Sequence, residues 1–422
     1  MFSRIKTDNF MIWLVLLMQL GFHTNTGYDD ILSLVVSIFV LLYFIIISGK
    51  SGLVSLTPSG KEFIIWYSLV MGLCGISFVW ATHGNKPFIL ETFANTFIPL
   101  VITFLCISIY LKRGNTGKSL ITSMVTAEIF VTVRALINTN IASIFSENNT
   151  RLYGTGLGVN YNHFTTQFAL VLCVVLFLAY NINKLFYIPA AFIVVNIIIS
   201  GSRKVLVASL LTFLVMYIIS PKGGKLAKKI RRVILVLAVF AFILWLILNN
   251  NFLYNLIGQK TVVAIKEMLS MQVDRKVDYS VYQRAEVMRI AFDVFKDHPV
   301  IGVGYYCFLN YNEWQLYAHN NYLELLADLG LIGFVLYYIF YVKNILGFMG
   351  LNIGFVGPKF RLSVDKNKSV WNVLGITFMI TLLILEYGQV TFFRLYALIP
   401  LMVVILGIEN MKNRKSEKRS LK

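Results

Sequence analysis

The stretch His319-Asn320-Asn321 sets a histidine and two asparagines where the chain passes from a polar segment into the apolar run YLELLADLGLIG. An imidazole with a pKa of about 6.5 can take or give a proton at neutral pH. Upstream, SGSRKVLVASLL places Arg203 at the tip of a tight turn between two apolar runs. VYQRAEVMRIAFDVFKDHP carries Arg284 and Arg289 on a helical period, and Arg151 and Arg394 lie in other polar or boundary positions. Guanidinium groups stay charged at any relevant pH and offer a planar fork suited to phosphate oxygens. Each residue also has a plainer reading. Arg203 can snorkel at an interface, Arg394 can serve packing, and Asn320 or Asn321 can cap a helix by accepting from a free backbone N–H. Tyr305, with Tyr306, Tyr311, Trp314 and Tyr317, fits an interfacial aromatic belt or a surface on which sugar rings stack. Several cations converging on one histidine would hold an anion, such as a lipid phosphate or pyrophosphate, beside a group that exchanges a proton.

The elements that position these residues are set by hydropathy. Of the 422 residues, 57% are hydrophobic and only 14% charged, where a soluble chain carries roughly a quarter charged residues. Apolar runs of about 20 residues recur and match a hydrocarbon core of about 30 Å. The chain therefore reads as an all-α polytopic membrane protein. The spacing predicts twelve spans, near residues 10–22, 31–49, 63–82, 88–111, 119–138, 164–180, 186–200, 205–219, 233–249, 322–342, 371–388 and 390–409. The first is a retained span, because no small-residue cleavage site follows it.

The net charge of +18 is an orientation signal. With the N-terminus inside, cytoplasmic segments such as PKGGKLAKKIRR hold 25 of the 38 Lys and Arg, and external segments hold 11. This is the positive-inside bias, and it leaves no case for a nucleic-acid partner. It puts both termini in the cytoplasm and Arg151, Arg203, Arg284 and His319 on the external side. The organisation is spans one to nine over 1–249, a long external segment over 250–321, and spans ten to twelve with a basic tail over 322–422. Within the external segment, Ala285, Met288, Ile290, Ala291, Val294 and Phe295 mark an amphipathic helix ended by Pro299.

Charges inside the hydrocarbon are costly. Glu91, Glu128, Arg134, Glu386 and Arg394 therefore need partners, and pairing among themselves is the simplest provision. Cys74, Cys106 and Cys173 lie in spans and Cys307 alone outside, which gives neither a disulfide framework nor metal-ligand spacing. Asp274, Asp278 and Glu313 read as solvated loop charges. Gly302-Val303-Gly304 lacks the third glycine and the strand–helix context of a nucleotide fingerprint.

YQRAEVMRIAFDVFKDHPVIGVGYYCF followed by AHNNYLELLADLGLIG resembles the signature region of the O-antigen ligase and Wzy-type polysaccharide polymerase superfamily. SGSRKVLVASLL is similar to its external arginine turn, and GTGLGVNYNH to an earlier external segment. A tryptophan that many members carry shortly after the first helix arginine is absent here. The resemblance implies a GT-C-like glycosyltransferase of the bacterial inner membrane that uses a glycan on undecaprenyl pyrophosphate and needs no cofactor or divalent metal. It assigns Arg203 and Arg284 to the donor pyrophosphate and His319 to the acceptor hydroxyl. Arg151, Arg289, Asn320, Arg394 and Tyr305 are further candidates for substrate contact. A flippase and a chain-length regulator are implied as partners.

Polymerisation of lipid-linked repeat units and ligation to lipid A core or another acceptor share this donor chemistry. A transporter is the reading from another class, but transporters commonly show internal repeats, and none is visible here.

Overall fold

The computed structural model describes residues 2–22, 28–49, 56–81, 86–137, 161–200, 202–220, 226–254, 279–356, 359–364 and 369–420. Fourteen helices are labelled here in chain order. They are α1 Phe2–Gly21, α2 Tyr28–Ser48, α3 Pro58–Ile76, α4 Lys86–Thr92, α5 Ile98–Lys112, α6 Gly117–Ile137 and α7 Tyr161–Asn181. There follow α8 Tyr187–Ser200, α9 Arg203–Ile219, α10 Leu226–Asn249, α11 Tyr279–Asp297, α12 Asn321–Phe348, α13 Val370–Glu386 and α14 Leu395–Ser420.

The chain is a helical, polytopic membrane protein. By length and composition, eight of the described stretches can cross a membrane: α2, α3, the α4–α5 unit, α6, α7, α10, α12 and α14. Helices α8, α9 and α13 are apolar but shorter, and α1 covers the first expected span. The expectation of an exclusively helical chain needs one addition. Strands β1 Leu351–Val356 and β2 Lys359–Val364 pair antiparallel between α12 and α13, with Ile353 opposite Leu362 and Phe355 opposite Phe360. Both strands alternate apolar with other residues at a period of two, which suits a hairpin better than a helix.

Helix α7 is the axis of the bundle, with 89% of its apolar window buried, whereas α10 lies at the periphery with 6% buried. Helix α9 joins α13 through Thr212 and Thr381, whose hydroxyls lie 2.6 Å apart. Trp66 on α3 stacks on Phe340 of α12 at 4.2 Å and donates to the carbonyls of Leu336 and Tyr337.

The intramembrane charges do not pair among themselves. Glu128 and Arg134 stand six residues apart on α6, a spacing that does not put side chains on one helix face. Arg134 instead donates to the Gly21 carbonyl at the end of α1 and lies over the Phe22 ring. Both Glu128 carboxylate oxygens are buried without a hydrogen-bond partner among the described residues, and Glu91 is exposed on α4. Glu386 closes α13, and its carboxylate accepts from the hydroxyls of Tyr337, Tyr338, Tyr341 and Thr391.

The last span also starts later than expected. Residues 387–394 form a turn, and α14 opens at Leu395. The aromatics Phe392 and Phe393 gave this turn the hydropathy of a span, so Arg394 lies before the helix rather than inside it.

Helix α12 is broken at Gly330, which has φ 63° and ψ −164°. An unbroken helix would bond Leu331 N–H to Ala327 O and Ile332 N–H to Asp328 O. Here Leu331 donates to Pro299 O at 2.9 Å and Ile332 to Val300 O at 3.2 Å. The freed carbonyls of Ala327 and Asp328 accept from Val303 at 3.0 Å and Gly304 at 2.8 Å. Residues 299–304 are thus inserted into the break. Unsatisfied backbone groups at membrane depth cost several kcal/mol each, and this clasp leaves none of the four bare.

The backbones approach so closely that only glycine fits. A Cβ on Gly330 would stand 2.4 Å from Val300 C and O, and one on Gly302 2.4 Å from Asp328 C and O. Gly302 also has φ 65°. Replacing either by alanine should cost roughly 1–3 kcal/mol through backbone conformation alone, with steric displacement added. The expected outcome is a clear fall in the thermal unfolding midpoint of the detergent-purified protein for Gly302→Ala and Gly330→Ala. Gly75→Ala, whose Cβ would meet nothing within 4 Å, should leave it unchanged or slightly higher.

Candidate active site

The clasp sets the start of the aromatic loop that follows it. Asp328, fully buried on α12, accepts from the backbone N–H groups of Tyr306 at 2.8 Å and Phe308 at 3.0 Å. Tyr306 adopts φ 60° and stacks on Phe88. Tyr305 points into the core, with its hydroxyl 3.1 Å from Thr92 Oγ1. Helix α11 packs Val287, Ala291 and Val294 onto Val303, Cys307, Phe308, Ala318 and Ala327. Its apolar face therefore covers the aromatic loop and the first turns of α12. It ends at Asp297, two residues before Pro299 as the sequence led one to expect.

The three residues before and into α12 do different work. Asn320 is its N-cap, and its Oδ1 accepts from Tyr322 and Leu323 N–H at 2.9 and 3.1 Å. Such a cap contributes about 1 kcal/mol, and the Asn320 amide also reaches Met288 Sδ on α11. Asn321 accepts from the backbone N–H groups of Thr391 and Phe392 and donates to Tyr338. It holds the α13–α14 turn against the mouth of α12. Glu324, one turn on, accepts from Ala318 N–H. His319 is left between these anchors at φ 55°, a conformation that costs a non-glycine residue of order 1 kcal/mol or more. Its ring centroid lies 4.2 Å from that of Tyr317.

Cations gather around this histidine. Burial, then the positive charges of Arg284 and Lys204, lower its pKa from 6.5 to about 3. His319 is accordingly a neutral imidazole at physiological pH, able to accept a proton. Arg284 is half-buried near the start of α11 and makes no hydrogen bond or ion pair to any described residue. Arg394 lies over the Phe393 ring at 4.5 Å, and its Nε is buried with no hydrogen-bond partner among the described residues. Burial raises the Tyr317 phenol, while the charges of Arg394 and Arg284 act in the opposite sense. Tyr317 therefore feels both guanidinium charges, and His319 that of Arg284.

The candidates from the sequence divide accordingly. Arg284 bears on both His319 and Tyr317, Arg394 bears on Tyr317, and Asn320 supports this region as a cap. Tyr305 is part of the packing beneath. Arg289 is exposed and already neutralised by Glu286 and Asp293 on its own helix. Arg203 opens α9, but its side chain, like all of Arg151, lies outside the described residues. Among the described residues no group of three or more His, Cys, Asp or Glu side chains could hold a metal ion.

Three contributors escaped the sequence reading, Lys204, Glu324 and Asp328, and Asn321 was read only as a cap candidate. The two carboxylates looked like ordinary helix residues, yet at 0% exposure they hold backbone N–H groups of the loop. Only their spacing of four, which puts them on one face of α12, hinted at a shared task.

Residues 188–338, from α8 to the middle of α12, match the family model of O-antigen ligase. No curated protein gives a match. This part of the chain is therefore similar to the O-antigen ligase and Wzy-type superfamily, and the match supports a glycan-handling membrane enzyme at the general level.

The charge environment of His319 yields a direct test. In protein without donor, the His319 Cε1 resonance of 13C-histidine-labelled protein should not titrate between about pH 5 and 8. Arg284→Gln removes a charge that opposes protonation, so it should move the titration upward. It should not restore the ordinary histidine value, because burial is the larger cause.

Proposed function

We propose that this protein is a polysaccharide polymerase of the bacterial inner membrane. On this reading it transfers a glycan from undecaprenyl pyrophosphate to the hydroxyl of a lipid-linked repeat unit. The observation that carries the reading is a neutral, half-buried imidazole at the mouth of α12, flanked by arginine and lysine charges that have no ion-pair partner among the described residues. Glycosyl transfer from a diphosphate leaves negative charge on the departing phosphate. Fixed cations aimed at that charge stabilise the transition state, and a positioned base assists attack by the hydroxyl.

Each residue has a role in this scheme. Arg284 and Arg203 bind the donor diphosphate, and Arg394 approaches it from the α13–α14 turn. His319 accepts the proton of the attacking hydroxyl as the new glycosidic bond forms and the bond to the diphosphate breaks. The proton it gains is offset by the diphosphate charge beside it, which compensates the two cations that otherwise oppose protonation. Both substrates keep their lipid tails in the bilayer while their sugar ends meet just outside it. That arrangement accounts for placing the site at the point where the chain re-enters the apolar phase.

The family description itself favours a second reading, in which the same donor chemistry ligates the glycan to lipid A core or another terminal acceptor. The two readings separate on product. In a strain lacking the chromosomal copy, His319→Ala, Arg284→Ala and Arg203→Ala should each insert normally yet abolish long-chain surface polysaccharide. Single lipid-linked repeats should accumulate if the protein polymerises, and complete unattached chains if it ligates. Arg284→Lys should restore the product only in part, because a point charge lacks bidentate geometry. A full ladder of chain lengths from the histidine variant would refute the role of His319.

A further inference from the structure

Lys204 is the second residue of α9, and nothing in the pattern SGSRK distinguishes it from a lysine at a membrane interface. Its surroundings do. The ammonium donates to the Gly388 carbonyl at 3.1 Å and to Gln389 Oε1 at 2.5 Å, both neutral, and it has no carboxylate partner among the described residues. Gln389 is fixed in turn by its amide, which donates to the Tyr396 hydroxyl. The aliphatic stem lies against Gly388, where a Cβ would come within 3.1 Å of Lys204 Cδ. A half-buried cation held inside the bundle is normally paired, and among the described residues this one is held only by dipoles.

Its position explains why that arrangement persists. Lys204 bears on His319 electrostatically together with Arg284, and it follows Arg203 in the chain. Gly388 and Gln389 begin the turn that ends at Arg394 and that Asn321 anchors through Thr391 and Phe392. Lys204 thus bridges the α9 turn to the turn carrying Arg394. Lys204, Arg284 and Arg394 all lack an ion-pair partner among the described residues. On α12, Glu324 feels the Arg394 charge but is bonded to Ala318. The excess of positive charge is more than one phosphoryl group needs.

We infer that Lys204 is a ligand for the second phosphoryl group of the donor and sets the preference of this site for a diphosphate over a monophosphate. The inference rests on the lipid-diphosphate reading above. On binding, the ammonium exchanges Gly388 O and Gln389 Oε1 for phosphoryl oxygens. The ammonium then faces a full negative charge in place of a neutral dipole, which adds Coulomb attraction that the carbonyl and amide oxygens do not supply. A monophosphate lacks the second group and leaves Lys204 with its neutral partners.

The test uses the full-length, detergent-purified protein with two probes, farnesyl diphosphate and farnesyl monophosphate. The wild type should bind the diphosphate at least about ten-fold more tightly. Lys204→Gln should bring that ratio near one by weakening the diphosphate alone, and Lys204→Arg should retain most of it. Gln389→Glu provides an independent arm that keeps the lysine and pairs it with a carboxylate, and it too should lose the preference. If both Lys204→Gln and Gln389→Glu keep the wild-type ratio, the inference is overturned. Should the lysine variant fail to fold, the glutamate variant decides by itself. Arg284→Gln separates this from the broader reading: if it weakens neither probe, the site is not a phosphate site at all.

Discussion

The organisation of the site depends on a helix that is broken on purpose and repaired by another part of the chain. At Gly330 the α12 ladder stops, and residues 299–304 supply two acceptors and two donors to the four backbone groups released. Inside a membrane such groups have no water to turn to, so the break and the segment that fills it form one unit. Because the contact is backbone to backbone, with Gly302 against Asp328 and Gly330 against Val300, neither glycine can carry a side chain. The exchange fixes where α11 ends, where the aromatic loop begins, and how the first turns of α12 are presented.

Everything nearer the chemistry hangs from those first turns. Asp328 and Glu324 point back from α12 to hold the loop at Tyr306, Phe308 and Ala318. Asn320 caps the helix, and Asn321 fastens the α13–α14 turn. Between these fixed points His319 occupies a left-handed backbone conformation that its neighbours impose. Strain of this kind persists only when surrounding structure over-determines it, and here four buried polar side chains do so. The result is an imidazole that stays neutral beside cations from α9 and α11, with Arg394 of the turn before α14 bearing on the neighbouring Tyr317.

Much of this was legible in the sequence, and the remainder has physical reasons for being hidden. Hydropathy located the longer spans, because α2, α3, α6 and α7 are long and predominantly apolar. The amphipathic helix and its stop near Pro299 followed from periodicity, although Val287, central to its buried face, had not been singled out. The glycines in VIGVG and in DLGLIG looked like separate punctuation. Their partnership is a long-range contact that no local pattern encodes. Arg394 was assigned to a span because Val390, Phe392 and Phe393 are apolar, whereas a buried asparagine 70 residues upstream holds that stretch as a turn. Pairing of intramembrane charges failed as a guide for Glu386, which is solvated by tyrosine and threonine hydroxyls instead. The hairpin Leu351–Val364 lay in a segment read only as a cytoplasmic loop.

The central claim is that this cationic cluster and its neutral histidine transfer a glycan between lipid-linked substrates at the membrane surface. The most direct measurement places the purified protein in liposomes with a radiolabelled oligosaccharide on a polyprenyl diphosphate as both donor and acceptor. The account predicts release of polyprenyl diphosphate matched by longer lipid-linked glycan, with neither product from His319→Ala. Movement of the labelled lipid between leaflets with no new glycosidic bond, or undiminished product from the histidine variant, would contradict it.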